Sequence, residues 1–309
     1  MISEVTIQFT EKCNISCPYC FSSIKIDNML SDEDFDIFTT FCKKEPLDVI
    51  HITGGEPALH PNFGRYVTVL SEISSLVVYS NFTVANMLNE INAKIPLEIV
   101  FLVNTNSRCF CSELDKEFIS NFEQAISRGF RVALSHTFYA GTKFLDREFN
   151  ELIEIMRDYK LRNLRVSQAL TFSDDKKFMS REDIKELYHY VAEKISDWRK
   201  EGFSVYFDCP VPPCYVNPSD FKKLREYNAV SIECLPKAFI MWNLDVTHCY
   251  STMNELNRIG LSSFHSLAEV KKYSGGLLQN MQKKSDRNRC FNCSYGRDGI
   301  PCGCPSYCV

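Results

Sequence analysis

Cys13, Cys17 and Cys20 fall within one short stretch, EKCNISCPYCF (11–21), with Pro18 and Tyr19 between the last two. Thiolates are soft metal ligands, and this spacing lets three of them converge from a single loop on one small object. Three is odd for a disulfide framework and one short of a closed tetrahedral zinc site. Two chemistries fit. A cubane iron–sulfur cluster normally takes four thiolates, so three leave one iron open to an outside ligand. Alternatively, a zinc knuckle is completed by a distant Cys or His. A second stretch, HITGGEPALHP (51–61), follows a strand-like run. Gly54 and Gly55 permit close approach of backbone to a ligand. Glu56 offers a carboxylate to a ligand amine, and Pro57 stiffens the exit.

The elements that must position these residues alternate along the chain. Strand-like runs are predicted at 5–10, 48–53, 76–81, 98–104, 131–137 and 164–170. Amphipathic helical stretches are predicted at 31–44, 62–73, 121–129, 147–160 and 181–202. Ser31 and Ser180 each precede an acidic residue by three positions, Asp34 and Asp183, as in a capping box. Gly129 and Gly202 stand where helices should stop. Six strand–helix alternations imply an α/β fold of parallel βαβ units. In such a fold ligands gather at the carboxyl ends of the strands. The cysteine motif follows the first strand, GGEP the second, and SNFT (80–83) the third.

The 309 residues, 45% hydrophobic and 24% charged, suffice for one large domain or a domain with a smaller extension. The net charge of −4 carries no basic run, which disfavours a nucleic-acid partner. KKYSGGLLQNMQKKSDR (271–287) reads as a solvated linker or helix face. No apolar run approaches the ~20 residues a membrane helix needs. No signal peptide is visible. A cytoplasmic location is expected, where the 15 cysteines would be metal ligands or catalytic thiols rather than disulfides. Nine of them fall after residue 205, a shift that places a domain boundary there and divides the chain into 1–205 and 206–309.

With both motifs in view, the sequence resembles the radical S-adenosylmethionine (radical SAM) family. The likeness rests on Cys13-x3-Cys17-x2-Cys20 with Tyr19, on Gly54-Gly55-Glu56-Pro57, and on SNFT, which is similar to the family's TNGT. It spans residues 1–205 and implies a partial (βα)6 TIM-like barrel. It implies that Cys13, Cys17 and Cys20 hold a [4Fe–4S] cluster. The amine and carboxylate of S-adenosylmethionine would chelate the fourth iron, and reductive cleavage would yield a 5′-deoxyadenosyl radical. Tyr19, Gly54, Gly55, Glu56, Pro57, Ser80 and Asn81 are the matching cofactor-binding positions. Asn104, Ser135 and Arg165, near the ends of the fourth to sixth strands, are further candidates. Two departures stand out. Phe82 replaces the usual Gly of the third motif, and the fourth strand lacks the polar Ser-Asp type of ending.

The tail resembles the auxiliary-cluster extension called SPASM, or its shorter twitch relative. Cys234 and Cys249 fit its first element, although Leu244 stands where a Gly is expected, and LPKAFIMWNLDVTH between them reads as a hairpin. Cys290 and Cys293 fit the C-x2-C that follows. Beyond it the spacing departs from the pattern. One auxiliary [4Fe–4S] cluster would use Cys234, Cys249, Cys290 and Cys293. A second would draw on Cys302, Cys304 and Cys308, completed by Cys209 or Cys214, and the density of the tail favours two. Zinc ribbons are the alternative. Cys209 or Cys214, in the proline-rich stretch 205–218, is also a candidate hydrogen-atom donor.

The resemblance implies modification of a ribosomally made peptide, by thioether or carbon–carbon crosslinking or by epimerisation. A radical dehydrogenase of a small molecule, with an auxiliary cluster as electron acceptor, is the second reading. A non-catalytic iron–sulfur or zinc scaffold or electron-transfer protein is the third. The expected partners are a leader-bearing precursor peptide or small molecule and a reductant such as flavodoxin or ferredoxin. Because the first motif begins almost at residue 1, either a separate leader-binding protein or a peptide bound directly in the barrel is also expected.

Overall fold

The computed structural model describes residues 3–20, 26–106, 115–140, 142, 145–169, 179–235, 237–249 and 258–284. All six predicted strands form, as β1 (Glu4–Gln8), β2 (Val49–Thr53), β3 (Ser75–Ser80), β4 (Ile99–Asn104), β5 (Arg131–Phe138) and β6 (Asn163–Gln168). The five predicted helices form as α1 (Asp32–Lys44), α2 (Phe63–Ser71), α3 (Asp115–Ser127), α4 (Leu145–Asp158) and α5 (Arg181–Lys200). The chain is an α/β fold with mostly parallel strands, of the TIM-like partial-barrel kind.

Compactness divides the chain differently from the boundary read at residue 205. One unit joins Met1–Val132 to Pro236–Leu278, and the other joins Ala133–Leu235 to Gln279–Val309. In the first unit β1, β2, β3 and β4 pair in parallel in that order. On the other side of β1 lies the short parallel strand β8 (Phe239–Ile240), with β9 (Asp245–Thr247) antiparallel to it and β10 (Ile259–Gly260) antiparallel to β9. The predicted hairpin is thus β8–β9. Helix α7 (Leu267–Lys284) begins in this unit, over much of the stretch read as a solvated segment.

Alternation along β1 explains its two faces. Val5, Ile7 and Phe9 are buried, and Phe9 packs edge-on against Phe63 and Tyr66 of α2. Tyr66 in turn stacks on Phe35 of α1 at 3.7 Å. Between β3 and β4 the described residues form no α-helix, only the short 3-10 turn Pro96–Glu98. Helix α3 compensates. The Asn121 amide donates to the carbonyls of Phe82 and Val84 at 2.9 and 2.8 Å, and Arg128 caps the carbonyls of Leu88 and Ile91. Buried backbone carbonyls that a helix would have satisfied find side-chain donors instead.

In the second unit β5, β6 and β7 (Ser204–Phe207) run parallel in that order. Strand β7 is a seventh parallel strand, lying across the boundary expected at residue 205. Helices α4 and α5 cover one face. Phe149 of α4 stacks on Phe138 of β5 at 5.0 Å and on Trp198 of α5 at 5.2 Å, and Tyr188 stacks on Phe207 at 3.8 Å. Ser180 closes a full capping box with Asp183, whereas the Ser31 hydroxyl accepts from the Asp34 amide and itself donates to the Asp34 carboxylate. Gly129 and Gly202 end their helices in the left-handed conformation, at φ +79° and +89°. Helix α6 (Pro218–Glu226) follows the proline-rich stretch.

Candidate active site

Residues 13–20 leave the carboxyl end of β1 as an irregular loop. Its own backbone closes one turn, Cys20 N–H to Cys17 O at 3.1 Å. It is also held by the ends of β2, β3 and β4. From β2, the amides of Gly55 and Glu56 donate to the carbonyls of Thr10 and Lys12, at 2.7 and 2.8 Å. A Cβ on Gly54 would lie 2.7 Å from the Thr10 oxygen, and one on Gly55 only 2.3 Å from the Lys12 oxygen. The glycine pair therefore admits the chain's own backbone at the start of the cysteine loop. Any side chain there would push the loop off β2.

Glu56 is 1% exposed. Its carboxylate accepts from the amides of Ala58 (3.1 Å) and Asn81 (2.6 Å) and from the Ser80 hydroxyl (2.9 Å). Burial pushes its pKa up to about 7, against the pull of these three donors. Its contacts are thus directed inward, tying GGEP to the end of β3. Pro57 is buried at the start of the short turn that follows.

The third motif completes a closed ring with the cysteine loop. Thr83 donates from its amide and its hydroxyl to Asn81 Oδ1, at 2.9 and 2.6 Å. The Asn81 amide donates to Asn14 Oδ1 at 2.9 Å, and the Asn14 amide donates to Thr83 Oγ1 at 2.9 Å. Asn14 directly follows Cys13. The other end of the loop is held by Tyr19, whose hydroxyl lies 3.2 Å from the Asn104 amide nitrogen at the end of β4. Sequence reasoning missed Asn14 and Thr83 as tethers. Their signal was a run of small amides and hydroxyls placed beside the strand ends.

Phe82 takes φ +59°, the left-handed region that a glycine enters without strain. The backbone of the expected Gly is thus kept although the residue is not. Its ring is fully buried, with centroids 5.3 Å from Phe101, 6.5 Å from Phe118 and 6.4 Å from Phe122. Leu244 repeats the pattern. At φ +64° and buried, it keeps the expected glycine turn five residues before Cys249. His248, between them, is held neutral near pKa 4 by burial and by the nearby Lys237 ammonium.

The first unit therefore brings together Cys13, Cys17, Cys20, Tyr19, Gly54, Gly55, Glu56, Pro57, Ser80, Asn81 and Asn104. Ser135 and Arg165 belong to the second unit, opposite one another on β5 and β6. There Arg165 is paired with the Asp208 carboxylate, which also accepts from the Ser167 hydroxyl at 2.9 Å. Asp208 was not anticipated from sequence. Cys209 follows it and is partly buried, while Cys214 is exposed in a short turn whose carbonyl accepts from Arg181. Cys234 and Cys249 are partly buried. Cys290, Cys293, Cys302, Cys304 and Cys308 lie outside the described residues.

The donor set suits a cluster. Cys13 and Cys17 are half-buried and Cys20 is exposed, on a loop fixed at both ends. Among the described residues, no three of His, Cys, Asp and Glu converge as they would around a single ion. A four-iron cubane spaces its thiolates more widely.

The family model described as the radical SAM superfamily matches residues 7–106. Those residues carry the likeness to the radical SAM superfamily. Within them lie all three motifs. A GTP 3′,8-cyclase of Campylobacter lari is 22% identical over 215 residues, 63% of this chain and 64% of that protein. The chain thus spans under two thirds of that relative. SuiB of Streptococcus suis, bound to S-adenosylmethionine, superposes with a TM-score of 0.71 at 16% identity, over 97% of this chain and 72% of SuiB. SuiB bound to the precursor peptide SuiA gives 0.66 at 18% identity, over 90% and 66%. The protein anSMEcpe, bound to S-adenosylmethionine and the Cp18Cys peptide, gives 0.69 at 12% identity, over 100% and 94%. At these identities the likeness is one of fold. No helix among the described residues is long and apolar enough to cross a membrane.

Proposed function

We propose that this radical SAM enzyme modifies a peptide. The observation that carries the reading is that the fold likeness runs through the whole chain, well beyond residues 7–106, in structures holding peptides. The glycine-like turn at Leu244 supports an auxiliary-cluster extension after the core. In this reading Cys13, Cys17 and Cys20 hold a [4Fe–4S] cluster, and Tyr19, Gly54, Gly55, Glu56, Pro57, Ser80, Asn81 and Asn104 surround its S-adenosylmethionine. Ser135 and Arg165 are further cofactor contacts. The bound pair supplies one-electron chemistry and a strong hydrogen-atom abstractor. The protein's own task is to fix the loop, exclude water and hold the target C–H in place.

Residues 206–309 carry one or two auxiliary clusters in this reading, on Cys234, Cys249, Cys290 and Cys293, then Cys302, Cys304 and Cys308. For an epimerisation, Cys209 is the better placed hydrogen-atom donor. It lies just beyond the carboxyl end of β7 and is partly buried, whereas Cys214 faces solvent. A flavodoxin- or ferredoxin-like reductant completes the set of partners. A second reading is cyclisation of GTP, favoured by the name of the curated relative.

The test is anaerobic reconstitution, with iron counted per chain and 5′-deoxyadenosine measured under reduction, first with peptides and then with GTP. About eight or twelve irons count one or two auxiliary clusters. Cys17→Ala should abolish 5′-deoxyadenosine formation. Cys293→Ala should leave uncoupled cleavage and no product. Normal product from Cys293→Ala would make the tail structural only, and a product from GTP alone would replace the peptide reading.

A further inference from the structure

Gln8 is the last residue of β1 and is 3% exposed, yet its Oε1 has no hydrogen-bond partner among the described residues. A buried amide oxygen without a donor is costly, and a Leu or Met of similar size would avoid the cost. The exception therefore points to a partner outside the described residues.

Its place in the sheet indicates where that partner sits. Val5, Ile7 and Phe9 face α2 and its surroundings, so Thr6 and Gln8 face the other way. Thr6 is in register with His51 and Gln8 with Thr53. His51 Nδ1 lies 3.3 Å from the Tyr79 hydroxyl, and Tyr79 is in register with Leu102, two residues before Asn104. Thr6, Gln8, His51, Thr53, Tyr79 and Asn104 thus share one face across β1 to β4, with Val77, Val100 and Leu102 between them. In a barrel of this kind it is the inner face, and Gln8 lies at its carboxyl end, where substrates bind.

We propose that Gln8 is a substrate-positioning residue whose Oε1 accepts a hydrogen bond from a backbone N–H of a peptide laid against this face. The proposal rests on the peptide reading above and adds to it a specific contact. An amide acceptor suits a neutral N–H donor and gives no charge to a phosphate-bearing ligand. The same acceptor is available to an ordered water or to the cofactor's amine, and the experiment separates these sources.

The experiment uses reconstituted full-length protein, wild type against Gln8→Leu and Gln8→Glu. The probe is the capped dipeptide N-acetylalanine N′-methylamide, followed by saturation-transfer NMR. Unfolding midpoint and S-adenosylmethionine affinity are measured alongside. Gln8→Leu should reduce saturation transfer at least fivefold, leave cofactor affinity within twofold and not lower the midpoint. Gln8→Glu, which keeps an acceptor, should retain the probe. A lowered midpoint in Gln8→Leu would assign Oε1 to a structural water and overturn the proposal. A tenfold loss of cofactor affinity would assign it to S-adenosylmethionine, with the same consequence. Equal or absent probe binding in all three proteins also overturns it. The peptide reading itself is judged by product formation, so the contact can fail while that reading stands.

Discussion

Phe82 and Leu244 hold dihedrals that cost other residues about 1–2 kcal/mol. Their buried side chains offset that cost. The ordinary preference of Ala over Gly should therefore be reversed at both sites. Phe82→Gly should lose roughly 2–3 kcal/mol in chemical denaturation, and Phe82→Ala about 1 kcal/mol more. Ala variants as stable as the Gly ones would mean that the backbone relaxes on truncation. Glu56 gives a second test at this scale. Its folded pKa of about 7 lies above the ordinary glutamate value of 4.5. The folded state thus holds the proton more tightly, an advantage fully present below about pH 4.5 and lost as pH rises through about 7. Between those limits the wild type should lose about 3 kcal/mol from this group. Glu56→Gln should lack that slope. It should also be destabilised throughout, because one amide N–H would face the Asn81 N–H. Glu56 was legible in the sequence as part of GGEP, but its partners were not. They come from Ser80 and Asn81, and only folding shows that the carboxylate turns toward them.

At the level of elements, hydrophobic periodicity located six strands and five helices because each has a buried face set by its neighbours. Strand β7 was missed because four residues carry too little alternation, and α7 was read only as a solvated linker or helix face because its charged ends outweigh its buried side. The cysteine loop has no periodicity at all. Its shape depends on the Asn14–Thr83–Asn81 ring and on Tyr19, contacts between residues far apart in sequence. Asn14→Ala and Thr83→Val should each speed loss of iron to a chelator by about tenfold, the order seen when partners that orient metal ligands are removed. Thr83→Ser, which keeps the hydroxyl, should behave as wild type. If Thr83→Ser loses iron as fast as Thr83→Val, the methyl group and not the hydrogen bond holds the loop.

For the whole molecule, a group that binds only the folded loop stabilises the fold by linkage. Anaerobic removal of iron should lower the unfolding midpoint by several degrees, and reconstitution should restore it. An unchanged midpoint would mean that the thiols hold nothing in the folded state. The first unit has a further property. Strand β1 has β2 on one side and β8 on the other, and β8 is supplied by residues 239 and 240. During synthesis, at ~5–20 residues per second, the flank of β1 therefore waits roughly 10–50 seconds for its neighbour. A bare strand edge in a nascent chain recruits other edges. Yield from a cell should then depend on translation speed and on chaperones covering that edge, and chains released before residue 239 should accumulate as aggregates.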